Sequence, residues 1–344
     1  MQKSEYLKNP VQHVDITQFD ASPLIHAYRG MAFQARNLAR AADIWQQMVE
    51  DKECTIILTL AGSLVSAGLK KIIVDLLKNR LVDVIVSTGA NIVDQDFFEA
   101  LGFKHWQGSP FVDDQNMREL GIDRIYDTYI DEDQLRICDD TIAQIADQLE
   151  PRAWSSREFI HAMGQYLIEK DLGEDSIVRT AAELNIPIFV PAFSDCSAGF
   201  GLVYHQEKNP DQHVSIDSVR DFRELTQIKI AAAETGLVML AGGVPKNFTQ
   251  DVVVAADILG KEVSMHKYAI QLTVADERDG ALSGSTLKEA CSWGKVDTVH
   301  EQMVFSELTL TLPLLASYVY HQHAWENRSF KSWNTLFQKK LARV

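Results

Sequence analysis

At 344 residues the chain is long enough to bury a sizeable core without disulfides or metal ions, and its composition is that of an ordinary soluble protein. Lys and Arg number 33 against 48 Asp and Glu, and the formal net charge of −15 argues against nucleic acid while it fits a small cationic ligand or simple solubility. The four cysteines form no CxxC pair and no run approaches the ~20 apolar residues that cross a bilayer, so we expect a cytoplasmic protein without a metal site or membrane contact.

Short apolar runs rich in β-branched residues recur along the chain and are typical of buried strands. In chain order they are CTIILTL (54–60), LVDVIVST (81–88), IPIFVPAF (186–193), GLVMLAGG (236–243) and YAIQLTVA (268–275). Helical patterns lie between them, at residues 64–80 and at residues 219–236, where Gly236 is the expected C-terminal stop. This alternation predicts an α/β fold, a doubly wound (Rossmann-like) parallel sheet with helices on both faces in a single large domain.

No repeat, low-complexity tract or linker marks a clean domain boundary. We expect an N-terminal extension over residues 1–40, a ligand-binding core over 41–325 and a C-terminal tail over 326–344. The tail is locally basic with aromatic residues interleaved, a pattern that favours packing on the core or on another subunit.

Turns rich in small residues follow three of the predicted strands, where ligands of doubly wound sheets bind. They are AGSLVSAG (61–68), TGANIVDQD (88–96) and AGGVPKN (241–247). Small residues let backbone N–H groups approach a phosphate, although tight turns also need glycine for steric reasons alone. The fingerprint GxGxxG is absent, so the standard motif does not predict a nicotinamide cofactor. Asp94 could accept hydrogen bonds from a ribose or cap a helix.

The stretch KEACSWGKVD (288–297) places Lys295 after a tryptophan and a glycine. A lysine becomes a nucleophile toward an imine carbon when its pKa falls, and desolvation beside Trp293 is one way to achieve this. Glu289 could hold a cationic substrate or move a proton. A solvent-exposed lysine in a loop before a strand is the plainer alternative from spacing alone.

Residues 8–320 together resemble the deoxyhypusine synthase family. The likeness is loose in SLVSAG, VDVIVST and RELGIDRI, and close in VPAFSD, LAGGVPK, DGALSG, EACSWGK and LPLL. It implies an NAD-dependent transferase, usually a homotetramer with active sites at a dimer interface. In such enzymes NAD takes hydride from a carbon that bears a polyamine nitrogen, and a lysine captures the resulting imine. An acceptor amine then receives the aminobutyl group, and the hydride returns.

The resemblance also implies a role for individual residues. Lys295 would form the imine, Trp293 would pack on the polyamine chain, and Glu289 would hold an ammonium group. Asp94 and Gln95 compete for the position of the ribose-binding acid, because TGANIVDQD carries one residue more than the usual turn of the family. The other residues implied to line the NAD site are Ser63, Ser66, Thr88, Gly89, Asp195, Gly242, Gly243, Asp279 and, shifted by one position, Glu307.

Departures from the family pattern concern the substrate pocket. Phe200 and Leu282 stand where deoxyhypusine-forming members have aspartates, and Asn247 stands for a histidine. Asp251 stands for an asparagine and could restore one negative charge. Lost carboxylates weaken binding of a polycation, so we do not expect spermidine to bind in the usual way.

This pattern resembles the deoxyhypusine synthase-like branch, with a small cationic amine such as a diamine or guanidino-amine as substrate. Three alternatives remain at this point. The protein could be a true deoxyhypusine synthase that modifies a protein lysine, or a non-catalytic NAD-binding paralogue. An ordinary lysine aldolase is also possible, but it leaves the phosphate-sized turns unexplained.

Overall fold

The computed structural model describes residues 2–278 and 285–338. The strands are β1 Cys54–Leu60, β2 Val84–Ser87, β3 Trp106–Gln107, β4 Ile122–Ile125, β5 Thr128–Asp131, β6 Ala153–Trp154, β7 Ile188–Phe189, β8 Ser215–Ile216, β9 Glu234–Leu240, β10 His266–Thr273 and β11 Val296–Phe305. The helices are α1 Lys3–Tyr6, α2 Ser22–Arg29, α3 Phe33–Glu50, α4 Lys70–Lys78, α5 Phe98–Ala100, α6 Asp114–Glu119, α7 Glu132–Gln148, α8 Ser156–Glu169, α9 Ile177–Glu183, α10 Ser197–Lys208, α11 Ser218–Ala231, α12 Gly243–Gln250, α13 Val252–Ile258, α14 Leu287–Ser292, α15 Leu308–His321 and α16 Thr335–Gln338. Two π-helical turns, Val65–Leu69 and Ala90–Phe97, follow β1 and β2.

The central sheet has the order β7-β2-β1-β9-β10-β11, and every pair within it is parallel. Leu58 in the middle of β1 lies opposite Ile85 of β2 and Val238 of β9. Numbered by their appearance in this sheet, the strands run 3-2-1-4-5-6, which is the order of the dinucleotide-binding fold. Strands β2 and β7 therefore lie on one side of β1, and strands β9, β10 and β11 lie on the other side.

Both faces of the sheet are covered, because side chains along each strand alternate between them. Ile56, Leu58 and Leu60 of β1 face the larger apolar cluster, to which α3, α4 and α15 contribute. Ile57 faces the smaller cluster, formed with residues of α11, α13 and α14. The prediction of a doubly wound α/β domain with helices on both faces is confirmed.

The end of α11 and the edge strand β11 differ from the prediction. Helix α11 ends at Ala231, because Ala232 turns to extended backbone, and Gly236 is not its stop but a residue of β9 that pairs with Ile56. Strand β11 was not predicted because its polar residues are exposed at the sheet edge and break the apolar pattern.

The two ends of the chain pack on the core where the structure describes them. Helix α3 runs across residue 40, and the division of the chain at residues 40 and 325 stays a prediction. Beyond residue 325, Arg328 is buried and forms a double ion pair with Asp83. Trp333 and Phe337 pack on the smaller apolar cluster. Within the described ranges, no helix is long and apolar enough to span a membrane.

Candidate active site

The strand order reverses between the carboxyl ends of β1 and β9, which is where doubly wound sheets form a ligand crevice. The Ala61 N–H donates to the Leu240 carbonyl at 3.1 Å, so the two strand ends are joined directly. Gly62 (φ +82°) and Gly243 (φ +68°) form the turns that follow, and a Cβ on Gly243 would lie 3.8 Å from the Ala61 Cβ. Dinucleotides bind in this crevice in sheets of this order.

The turn after β9, which contains Ala241 and Gly243, has features that suit a bound group. Ala241 has a φ of +60°, a conformation that costs energy for a residue with a Cβ and that persists mainly at functional sites. Gln271 of β10 lies below it, fully buried, with its amide donating to the Ala241 carbonyl at 3.0 Å. Among the described residues, Gln271 Oε1 has no hydrogen-bond partner. Helix α12 begins at Gly243, so its first N–H groups also lack intrahelical acceptors.

Asn91 connects the turn after β1 with the turn after β2. It was not predicted from the sequence as a site residue. Its amide donates to the Gly62 carbonyl at 2.7 Å and to Thr88 Oγ1 at 3.0 Å, while its oxygen accepts the Leu64 N–H at 3.0 Å. The available signal was an asparagine directly before the apolar pair Ile92 and Val93 in TGANIVDQD. Asn91 thus holds the turn that contains Ser63 against the turn after β2.

The two residues that compete for the ribose position are both engaged by backbone. Gln95 Oε1 accepts the Ser66 N–H at 2.9 Å, and Asp94 Oδ1 accepts the Ser197 N–H at 2.6 Å. Burial raises the pKa of Asp94 to about 6. Both side chains therefore serve contacts within the protein, and a ribose contact by either stays a prediction.

The other predicted cofactor residues that the structure describes follow the carboxyl ends of the strands. A Cβ on Gly89 would fall 2.4 Å from Cys196 Sγ, so the turn after β2 packs tightly on the loop that contains the exposed Asp195. Gly242 caps the start of α12. Glu307 caps α15 just after β11 and accepts the Leu310 N–H at 3.2 Å. Asp279 and Leu282 lie outside the described residues.

Lys295 is held between a helix end and an edge strand. Gly294 adopts a φ of +68°, which lets the Lys295 N–H donate to the Ala290 carbonyl at 3.0 Å and close α14. The Lys295 carbonyl accepts the His266 N–H at 2.9 Å, and β11 begins at the next residue. The side chain is only 15% exposed, unlike the solvated lysine that spacing alone favours.

Two side chains approach the ammonium group of Lys295. Asp251 Oδ1 lies 2.5 Å from Nζ, and the centre of the Trp293 ring lies 5.2 Å from it, within the range of a cation–π contact. Asp251 stands at the junction of α12 and α13, 44 positions earlier in the chain. The residue predicted to restore a negative charge is thus the ion-pair partner of Lys295.

A second lysine, Lys246, lies near Lys295. It is the lysine of GGVPK, and the sequence did not indicate a role for it. Lys246 on α12 is fully buried and donates to the Ser285 carbonyl at 2.6 Å. Burial lowers its pKa to about 8. Glu289 accepts the Thr286 N–H at 2.6 Å, and these contacts, with the charge of Lys246, lower the pKa of Glu289. The charges of Glu289 and Lys295 therefore both act on Lys246, and Asp251 is paired with Lys295.

The remaining predicted pocket residues are spread over two helices. Asn247 is half-buried on α12. Phe200 is 69% exposed on α10, on one face with the exposed Val203 and Tyr204. Within the described residues, no group of three or more His, Cys, Asp or Glu side chains could hold a metal ion.

The strand order defines a doubly wound α/β protein with a Rossmann-like sheet. The chain belongs to the deoxyhypusine synthase family, whose model matches residues 23–319. A "Deoxyhypusine synthase-like protein" of Chlorobaculum tepidum is 67% identical over 99% of this chain and 97% of its own.

Two solved structures are similar in fold. A candidate deoxyhypusine synthase from Entamoeba histolytica has a TM-score of 0.58 and 19% identity, over 90% of this chain and 97% of that chain. The ternary complex of AgrE with ornithine and NAD+ has a TM-score of 0.53 and 11% identity, over 85% of this chain and 34% of that chain. At these identities the likeness concerns the fold alone.

Proposed function

We propose that this protein is an NAD-dependent transferase that moves an aminoalkyl group from a small cationic amine to an acceptor amine through an imine on Lys295. The observation that carries the proposal is the placement of Lys295, which is 15% exposed, 2.5 Å from Asp251 and beside the face of Trp293. Membership of the deoxyhypusine synthase family supports it. AgrE, a protein of similar fold, was solved in a complex with ornithine and NAD+, which is consistent with a nicotinamide cofactor.

The switch-point crevice is the expected site for NAD. When bound, NAD supplies a hydride acceptor for a carbon next to an amine nitrogen and later returns the hydride. The turns at Gly62 and Gly243 would admit the phosphates, and the first N–H groups of α12 would bind them. Gln271, whose amide donates to the Ala241 carbonyl, would accept a hydrogen bond from the cofactor through Oε1.

Lys295 would exchange one carbon–nitrogen bond for another. Its amine adds to the imine carbon of the oxidised donor, the bond from that carbon to the donor nitrogen breaks, and the released amine leaves with a proton. The acceptor amine displaces Lys295 in the same way, so the transfer has no net change in oxidation state. Asp251 would hold the Lys295 nitrogen and take up its proton, and Trp293 would pack on the alkyl chain.

The charges at the site favour a short donor. Asp251 supplies negative charge beside Lys295 and Glu289 supplies it near Lys246, whereas Phe200 and Asn247 supply none. A third ammonium group, as in spermidine, would therefore lack a carboxylate partner, and such a group is costly to bury. Putrescine and agmatine should be better donors than spermidine.

We further propose a cytoplasmic homotetramer with the active sites at a dimer interface. The Trp293 ring is 66% exposed although it adjoins Lys295, and Val299 on the edge strand is exposed as well. A second subunit over this surface would exclude water from the imine. Measurement of mass by light scattering tests the assembly.

Trapping with borohydride tests the lysine imine. The protein is incubated with NAD and putrescine, agmatine, spermidine or homospermidine, reduced, and analysed by intact mass and peptide mapping. We expect an adduct on Lys295 that is abolished in Lys295→Ala. The adduct should be retained in Lys288→Ala, which removes an exposed lysine on α14, the helix that precedes Lys295. An adduct that persists in Lys295→Ala contradicts the proposal.

Two further outcomes separate the alternatives. NAD binding without an adduct from any amine would favour a non-catalytic NAD-binding paralogue. A mass gain on the hypusine-type translation factor, with spermidine and NAD present, would instead identify a true deoxyhypusine synthase.

A further inference from the structure

A buried network of polar side chains connects α11, β9, β10 and α12 near Lys295. Lys229 of α11 donates to Thr235 Oγ1 of β9 at 2.7 Å, and this hydroxyl lies 2.9 Å from His266 Nδ1 at the start of β10. The other ring nitrogen of His266, Nε2, lies 3.3 Å from the Thr249 carbonyl of α12. All of these side chains are buried, so each depends on the next for its hydrogen bonds.

The first member of the network determines the direction of every hydrogen bond. An ammonium group only donates hydrogen bonds, so Thr235 Oγ1 accepts one from Lys229. The Thr235 O–H in turn donates a hydrogen bond to His266 Nδ1. His266 is then neutral, and its Nε2–H donates to Thr249. Burial, together with the charge of Lys229, lowers the pKa of His266 well below its usual value, in agreement with a neutral ring.

His266 contacts both segments that hold the ion pair of the site. Its backbone N–H donates to the Lys295 carbonyl at 2.9 Å, and its ring donates to Thr249, two residues before Asp251. We propose that His266 is a positioning residue that keeps Lys295 and Asp251 in contact, and that Lys229 and Thr235 set its tautomer. The contribution of this role to turnover rests on the proposed function of Lys295.

Two substitutions of His266 separate its hydrogen bonds. A glutamine amide reaches the position of Nε2 and keeps the donor to Thr249, whereas an asparagine oxygen takes the position of Nδ1 and keeps only the acceptor for Thr235. Both remove the same buried ring, and asparagine is one methylene shorter than glutamine, so thermal unfolding of both variants measures their difference in packing. Thr235→Val and Thr235→Ser form a second pair, in case either His266 variant is poorly folded.

Competitive acetylation measures the ion pair without the reaction. The full chain is labelled with limiting acetic anhydride, and peptide mapping gives the ratio of label on Lys295 to label on the exposed Lys288. We expect this ratio to rise about two- to five-fold in His266→Asn, as for the loss of a partly exposed ion pair. It should stay at the wild-type value in His266→Gln and in Thr235→Ser, and rise in Thr235→Val.

Imine trapping with NAD and the amine panel is the second readout. We expect His266→Asn to trap the Lys295 imine about 10- to 100-fold more slowly, as for a small misplacement of a reacting group, and His266→Gln to recover most of the rate. Equal labelling ratios in wild type and all four variants would overturn the inference. If the ratios change as expected but wild type traps no amine, the positioning role stands and the proposed function fails.

Discussion

Replacing Gly294 with alanine tests whether the turn after α14 sets the position of Lys295. Gly294 has a φ of +68°, and a Cβ built there meets nothing within 4 Å, so the cost is backbone strain alone. The left-handed region costs a residue with a Cβ about 1–2 kcal/mol, which lowers the melting temperature of a chain of this size by about 1–3 °C. The variant should therefore remain folded.

Relief of this strain would move Lys295. If the backbone rotates away from the left-handed region, the hydrogen bond from Lys295 N–H to Ala290 is lost and Nζ shifts relative to Asp251. We expect the rate of imine trapping on Lys295 to fall about ten-fold or more, since misplacement of a reacting group by about 1 Å has effects of this size.

Gly260 provides a matched control. It has a φ of +66° after α13, and a Cβ there also meets nothing within 4 Å, so Gly260→Ala carries the same strain away from Lys295. Thermal unfolding and borohydride trapping are measured on both variants. Wild-type trapping in Gly294→Ala, or an equal loss in Gly260→Ala, would refute the reasoning.

Two further predictions concern buried carboxylates. Asp83→Asn leaves the Arg328 guanidinium buried without its counter-charge and should lower the free energy of unfolding by about 3–5 kcal/mol, whereas Asp83→Asn combined with Arg328→Met should lose less. Urea unfolding of both variants tests this, and a larger loss in the double variant would contradict it. Burial raises the pKa of Asp221 to about 7, so the folded state retains a proton that the unfolded state releases near pH 4. The stability of wild type relative to Asp221→Asn should therefore fall as the pH rises from about 4 through about 7, and urea midpoints at about pH 5 and about pH 8 measure it.

The sequence predicted those parts of the structure that depend on residues close together along the chain. Strand β1 was predicted at its observed limits because seven consecutive apolar or β-branched residues are buried on both faces. The predicted strand at 186–193 is shorter in the structure, since Pro187 and Pro191 flank it and the Val190 N–H donates to Ser156 Oγ instead of continuing the strand. The string EACSWGK marked Lys295 and Trp293, whose closeness follows from the short helix end between them.

The residues that surround Lys295 could not be read from the pattern. His266 stands alone in the sequence without ligand-like spacing, and Lys246 looks like any lysine in a helix. Their roles depend on burial and on partners from other elements, such as Ser285 for Lys246 and Thr249 for His266. Asp251 was noted only as an altered pocket residue, because nothing local indicates its partner.

The sequence by itself determined the α/β alternation, the small-residue turns, the family resemblance and the lysine at the end of SWGK. These features depend on side-chain periodicity and on steric limits that act over a few residues. Only the tertiary structure decided the strand order with its crevice between β1 and β9, and the pairing of Asp251 with Lys295. Burial of both sheet faces brings α12 and α14 together, and an ion pair between residues 44 positions apart exists only once that packing has formed.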